Sequence, residues 1–119
     1  MNTNVDQSTS RSRSLELEDE LNRWLRVLKK RYHPEKVILF GSFASGNVKQ
    51  WSDLDLIVIK ETQKRFLDRI EEVLHFLHPR VGADILVYTP QEYVRLCATR
   101  QFFKEEIAKK GKIIYERRS

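Results

Sequence analysis

Apolar residues recur along this chain with two different periods. Leu17, Leu21, Trp24, Leu25, Leu28 and Tyr32 fall at the spacing of one helical face. Ser14 stands where a cap would, so a helix is expected from about Leu15 to Tyr32, ended by His33-Pro34. Acidic residues lie early in it (Glu16, Glu18, Asp19, Glu20) and basic ones late (Lys29, Lys30, Arg31), the order that the helix dipole favours. A second face of this kind, Phe66, Leu67, Ile70, Val73, Leu74 and Leu77, predicts a helix over about 63–78. Thr62 is its expected cap and Pro79 its stop, with Arg65, Asp68, Arg69, Glu71 and Glu72 on the wet side.

Elsewhere the apolar residues form short continuous runs, which read as buried strands. These cover 36–40, from Ser52-Asp53 to about Lys60, about 82–88, and 112–116. Thr89-Pro90-Gln91-Glu92 is a capping box with proline in the first turn, and starts a short helix through about Ala98. Thr99 is expected to cap another, with Phe102, Phe103 and Ile107 inward and Gly111 as its stop. The stretch from Phe43 to Ser52 is too short for a regular crossover helix, so the strands it joins should be antiparallel. The fold class is then α+β: a mixed, largely antiparallel sheet with packed helices.

Composition narrows this. A chain of 119 residues has room for one domain of ordinary size. Residues 1–13 are rich in Ser, Thr, Asn, Gln and Arg, and read as a disordered polar tail before a domain over 14–119. The formal charge of +5 favours anionic ligands, although part of the excess sits near the ends, at Arg11, Arg13, Arg117 and Arg118. Cys97 is the only cysteine, so no internal disulfide forms, which suits a reducing cytoplasm. No apolar run is long enough to span a bilayer, and the first residues lack the apolar stretch of a signal peptide. His75 and His78 are one helical turn apart, but no third ligand type is arranged nearby, so they read as surface histidines.

The chemistry concentrates in one stretch. The run Val37-Ile38-Leu39-Phe40 is stopped by Gly41-Ser42, a turn whose first residue lets a ligand approach the backbone. Phe43-Ala44-Ser45 could open a helical turn with N–H groups facing an anion. Asp53 and Asp55 follow, two apart at the start of an apolar strand and so on one face of it. Two adjacent carboxylates repel unless a cation lies between them. Oxygen ligands of this kind suit Mg²⁺, which binds well where substrate phosphates complete its shell. Asp84 interrupts another apolar strand, and there it either forms a salt bridge or joins the same cation. Lys49, between turn and strand, reads as an exposed lysine within reach of a phosphate.

Phe40-Gly41-Ser42, ten residues, then Asp53-Leu54-Asp55-Leu56 resembles the motif of the DNA polymerase beta-like nucleotidyltransferase superfamily, and Asp84 fits that family's third carboxylate. The similarity covers roughly Leu17 to Tyr115 and is greatest to the minimal nucleotidyltransferases. It implies transfer of a nucleoside monophosphate, AMP from ATP, with two Mg²⁺ ions held by Asp53, Asp55 and Asp84. Gly41 and Ser42 would hold the β- and γ-phosphates by backbone N–H groups and the Ser42 hydroxyl. Larger relatives add domains that grip the second substrate, and this chain stops soon after its last strand. The resemblance therefore also implies a protein partner that supplies a hydroxyl, such as the helical HEPN-type toxin of a toxin–antitoxin pair. Tyr93, Phe102 and Phe103 form the expected docking surface. Two other readings stay open: a catalytically idle interaction protein that kept the fold, and a nucleic-acid-binding module supported only by the basic balance.

Overall fold

The computed structural model describes residues 3–118, with side chains over 10–118. Four strands, β1 (Lys36–Phe40), β2 (Leu54–Ile59), β3 (Ala83–Tyr88) and β4 (Lys112–Glu116), make one sheet in the order β3-β2-β1-β4. β1 runs antiparallel to β2 and to β4, whereas β2 and β3 are parallel. The sheet is mixed and largely antiparallel, as the short turn after β1 requires. Strands β2 and β3 can be parallel because α3 (Phe66–Leu77) carries the chain back between them.

Both faces of the central strands β1 and β2 are covered, and for that reason they read as unbroken apolar runs. Val37, Leu39, Leu56, Val58, Ile85 and Val87 point to one side, against Leu17, Leu21, Trp24 and Leu28 and against Val73 and Leu77 of α3. Ile38, Phe40, Ile57 and Ile59 point to the other, against Phe103 and Ile107. Leu96 of α4 (Pro90–Thr99) packs on this second cluster. Each fully buried leucine, such as Leu17, Leu56 or Leu77, contributes about 2 kcal/mol through the hydrophobic effect.

The first helix is longer than its apolar stripe. α1 runs Thr3–Val27, so the expected disordered tail is helical from Thr3 onward and Ser14 lies inside the helix, not at its cap. Met1 and Asn2 lie outside the described residues. The sequence from Thr3 to Ser14 has no glycine or proline, so nothing in it stops the helix from extending toward the N-terminus. At its other end α1 widens into a π-type turn, Leu28–Tyr32, closed by the His33 N–H donating to the Leu28 carbonyl at 2.8 Å. His33 adopts the left-handed conformation, φ 57°, and Pro34 follows.

Two other boundaries moved, and some side chains changed face. Thr62 caps no helix; its hydroxyl accepts from Lys64 N in a local turn, and α3 begins later, at Phe66. On α3, Arg69 is buried although its spacing put it on the wet face. It donates to Glu92, to the Val87 carbonyl and to the Lys64 carbonyl, which satisfies the guanidinium. Leu67, by contrast, is 74% exposed. Thr99 ends α4, its hydroxyl donating back to the Arg95 carbonyl. The next helix, Phe103–Lys109, is a π-type segment. Its Phe103 is buried and belongs to the core, so of the aromatic residues expected to offer a docking face only Phe102 is largely exposed. The capping box at Thr89 forms as its sequence dictates, with Thr89 and Glu92 each accepting from the other's backbone N–H. Among the described residues no helix is long and apolar enough to cross a membrane.

Candidate active site

Strand pairing gathers the carboxylates. The antiparallel register sets Phe40 opposite Asp55, and the parallel register sets Asp55 beside Asp84. One step back, Leu54 pairs with Ala83, so Asp53 adjoins Gly82. Asp55 and Asp84 alternate in phase with Ile57 and Leu86, on the face of the second cluster, and lie beyond its apolar cover.

Two glycines make room for them. Gly41 follows β1 with φ 81° and opens α2 (Gly41–Ser45), a single helical turn. A Cβ on Gly41 would collide with the Asp55 carboxylate, and a Cβ on Gly82 would collide with that of Asp53. Each acidic side chain therefore lies directly against a bare Cα. Asp55 is half-buried, and its carboxyl is pushed up to about 6 by burial first, then by the charges of Asp84 and Asp53. Asp53 and Asp84 are exposed. Among the described residues Asp55 and Asp84 have no cation within salt-bridge distance, so the salt bridge that would explain Asp84 more simply is not formed.

The loop that returns to β2 is bolted to the glycine turn. Ser52 is buried; its hydroxyl accepts from the Ser42 hydroxyl at 3.0 Å and from Lys49 N at 2.8 Å. The Ser42 hydroxyl, expected at a phosphate, thus ties the glycine turn to Ser52. Arg13 reaches the same point from α1. Its Nε donates to the Ser52 carbonyl at 2.9 Å, and its Nη2 stands 3.9 Å from Asp53 Oδ1. Lys49 is exposed.

The donor set suits one kind of cation. Among the described residues no three His, Cys, Asp or Glu side chains are gathered closely enough to cage a metal by themselves. Mg²⁺ does not need such a cage, since it is usually bound through one or two carboxylates with phosphate oxygens and water completing the octahedron. Hard oxygen donors, an excess of negative charge and a carboxyl pushed up by burial and then by its acidic neighbours fit an ion shared with a polyphosphate. They do not fit a structural zinc.

Sequence reasoning named Gly41, Ser42, Asp53, Asp55 and Asp84, and the fold brings all five to one end of the sheet. It missed Ser52, Gly82 and Arg13. Ser52 precedes Asp53, and Gly82 stands two before Asp84 as Asp53 stands two before Asp55, so both had a positional signal. Arg13 had none, because 39 positions separate it from the carbonyl it holds.

A glycine turn beside strand-borne carboxylates is the arrangement to be matched, and comparison gives the family. The family model "Polymerase beta, Nucleotidyltransferase" matches residues 22–119, and the chain belongs to that family. Two solved structures share the fold. A candidate nucleotidyltransferase from Sulfolobus solfataricus aligns with a TM-score of 0.66 at 20% identity, over 92% of this chain and 88% of that one. A toxin–antitoxin structure with AMP-PNP aligns with a TM-score of 0.51 at 20% identity, over 82% of this chain and 73% of that one. No curated protein sequence matches.

Proposed function

We propose that this chain is a Mg²⁺-dependent nucleotidyltransferase that moves AMP from ATP to a hydroxyl on a protein partner, in the manner of an antitoxin that silences its toxin. The observation that carries the reaction class is the register that sets Asp55 between Gly41 and Asp84 in a member of this family. The AMP-PNP in the toxin–antitoxin neighbour supports an adenine nucleotide and a protein partner. Three carboxylates beside the glycine turn argue against an idle scaffold. A generic nucleic-acid module would have no use for so negative a centre.

Asp53 and Asp55 would hold the metal ions, and Asp84 would complete the ligand set on the acceptor side. When bound, two Mg²⁺ would neutralise charge on the entering and leaving oxygens of an in-line displacement. The residues of the chain do the rest. The N–H groups of Gly41 and Ser42 hold the β- and γ-phosphates, in a turn kept rigid by the Ser42–Ser52 hydroxyl pair. The acceptor oxygen bonds to the α-phosphorus as the bond from that phosphorus to pyrophosphate breaks. The acceptor proton passes to the Asp84 carboxylate, which is exposed to solvent.

The test is incubation with Mg²⁺ and each α-labelled nucleoside triphosphate, with and without host lysate. Label from ATP should appear on protein, and should be lost on omission of Mg²⁺ and in Asp53→Asn. Equal labelling by Asp53→Asn, or none from any triphosphate, would contradict the assignment.

A further inference from the structure

Arg13 lies outside the span matched by the family model and in the part of α1 that the sequence reads as a tail. Its side chain is nonetheless folded inward, with an exposure of 18%. Nε donates to the Ser52 carbonyl, Nη1 donates to Glu16 Oε1 at 2.6 Å, and Nη2 faces Asp53 Oδ1. A guanidinium offers a planar fork of donors, and here its edges address the main chain before a carboxylate and the carboxylate itself. Ser52 is the junction of the site. Its hydroxyl meets Ser42, its N–H donates to the Lys49 carbonyl at 3.0 Å, and the next residue is Asp53. Gly82 leaves space that the Asp53 carboxylate fills. Asp53 precedes β2 and has no ladder partner of its own, so these contacts set its direction.

We infer that Arg13 is a positioning residue for the metal–triphosphate site: it pins Ser52 and aims Asp53, which makes the N-terminal part of α1 a working part of the centre. This rests on the reading of Asp53 as a metal ligand. Two effects of the guanidinium oppose each other. Its charge repels a cation arriving at Asp53, whereas its anchoring keeps the carboxylate in place. The bond to the Ser52 carbonyl is 2.9 Å and the approach to Asp53 is 3.9 Å, so anchoring dominates.

Binding of Mn²⁺ with AMP-PNP to the full chain, followed by the enhanced water-proton relaxation of protein-bound Mn²⁺ over that of Mn²⁺–AMP-PNP alone, tests this. The proteins compared are wild type, Arg13→Ala, Arg13→Lys and Asp53→Asn, each with a thermal melt. Arg13→Ala should weaken Mn²⁺ binding by roughly tenfold, the usual effect of removing a group that orients a ligand, at a temperature where its melt shows the protein folded. Arg13→Lys should recover part of the loss, because an ammonium can reach the carbonyl or the carboxylate but lacks the fork. Unchanged or tighter binding in Arg13→Ala, with binding lost in Asp53→Asn, overturns the role of Arg13 and leaves the metal site standing. Wild-type binding in Asp53→Asn overturns the metal site, and this inference with it. If both Arg13 variants lose Mn²⁺ only in proportion to lost folded protein, Arg13 is structural and the inference falls.

Discussion

At the scale of single residues, Asp55 decides most. It is the least exposed of the three site carboxylates, and its carboxyl is raised from 3.8 to about 6 by burial first, then by the charges of Asp84 and Asp53. A group whose folded value is raised stabilises the fold below its unfolded value, and that contribution is lost as pH rises through the folded value. The metal-free protein at pH 7 therefore carries a strained anion. Asp55→Asn should remove the strain and raise metal-free stability at pH 7 by roughly 1–2 kcal/mol, after allowance for solvent screening. The gain should shrink to nothing as pH falls from about 6 to about 4. The same substitution should lower transfer by at least about a hundredfold. Urea melts from pH 4 to pH 8, paired with label transfer, check both halves. A variant that is active, or less stable at pH 7, would contradict this account of the site. The named carboxylates were legible because their spacing of two matches the strand period. Their partner glycines were harder to see, since a bare Cα is informative only once a neighbouring strand is known to press on it.

At the scale of elements, the apolar periods gave every strand and the main helices, but not where α1 begins or why α3 turns as it does. Periodicity reports buried faces. It is silent about the polar part of α1 from Thr3 to Ser14, which is held by helix propagation and by Arg13, and about Arg69, which is buried because Glu92 satisfies it. α1 is fastened elsewhere by another polar knot. Glu20 is buried and accepts from Arg23, from Trp24 Nε1 at 2.9 Å and from the Arg80 backbone at 2.6 Å. The Arg23 bonds chiefly, with the Arg80 and Trp24 bonds, outweigh burial and hold its carboxyl down at about 2. A depressed value contributes stability that is present above about pH 4.5 and lost as pH falls through about 2. Glu20→Gln should thus cost about 3 kcal/mol at pH 7. The difference from wild type should close as pH drops from about 4.5 toward 2. Chemical denaturation at a series of pH values measures it; a constant difference across that window would mean that packing, and not charge, is what Glu20 supplies.

At the scale of the whole molecule, the layers decide where a second substrate can come from. α1 and α3 occupy one face of the sheet, while α4 and Phe103–Lys109 occupy the other. A cavity of about 350 Å³ lined by Glu35, Lys36, Ile59, Pro90, Tyr93 and Val94 opens at the opposite end of the strands from the carboxylates. Around the carboxylates themselves, Gly41, Asp53, Gly82 and Asp84 are exposed, which suits an acceptor presented by another chain. Co-expression with the adjacent open reading frame, followed by intact-mass measurement, should find the partner heavier by one or more AMP units. The gain should be absent with Asp53→Asn. No mass gain on any protein, alongside ready transfer to a small molecule or an RNA end, would replace the protein acceptor with one of those.

The parallel pairing of β2 with β3 has a further consequence. Asp55 and Asp84 meet only because both strands keep step, Leu54 with Ala83 through Ile59 with Tyr88. The centre is therefore stored as a phase, much as a message is stored in a reading frame. Length may vary freely in the connection from Lys60 to Arg65, where no strand records it. One residue added between Asp84 and Ile85, with Ile85–Tyr88 kept in step by their buried side chains, would leave every atom of chemistry in the chain and turn Asp84 to the face of α1 and α3, in the place of Ala83.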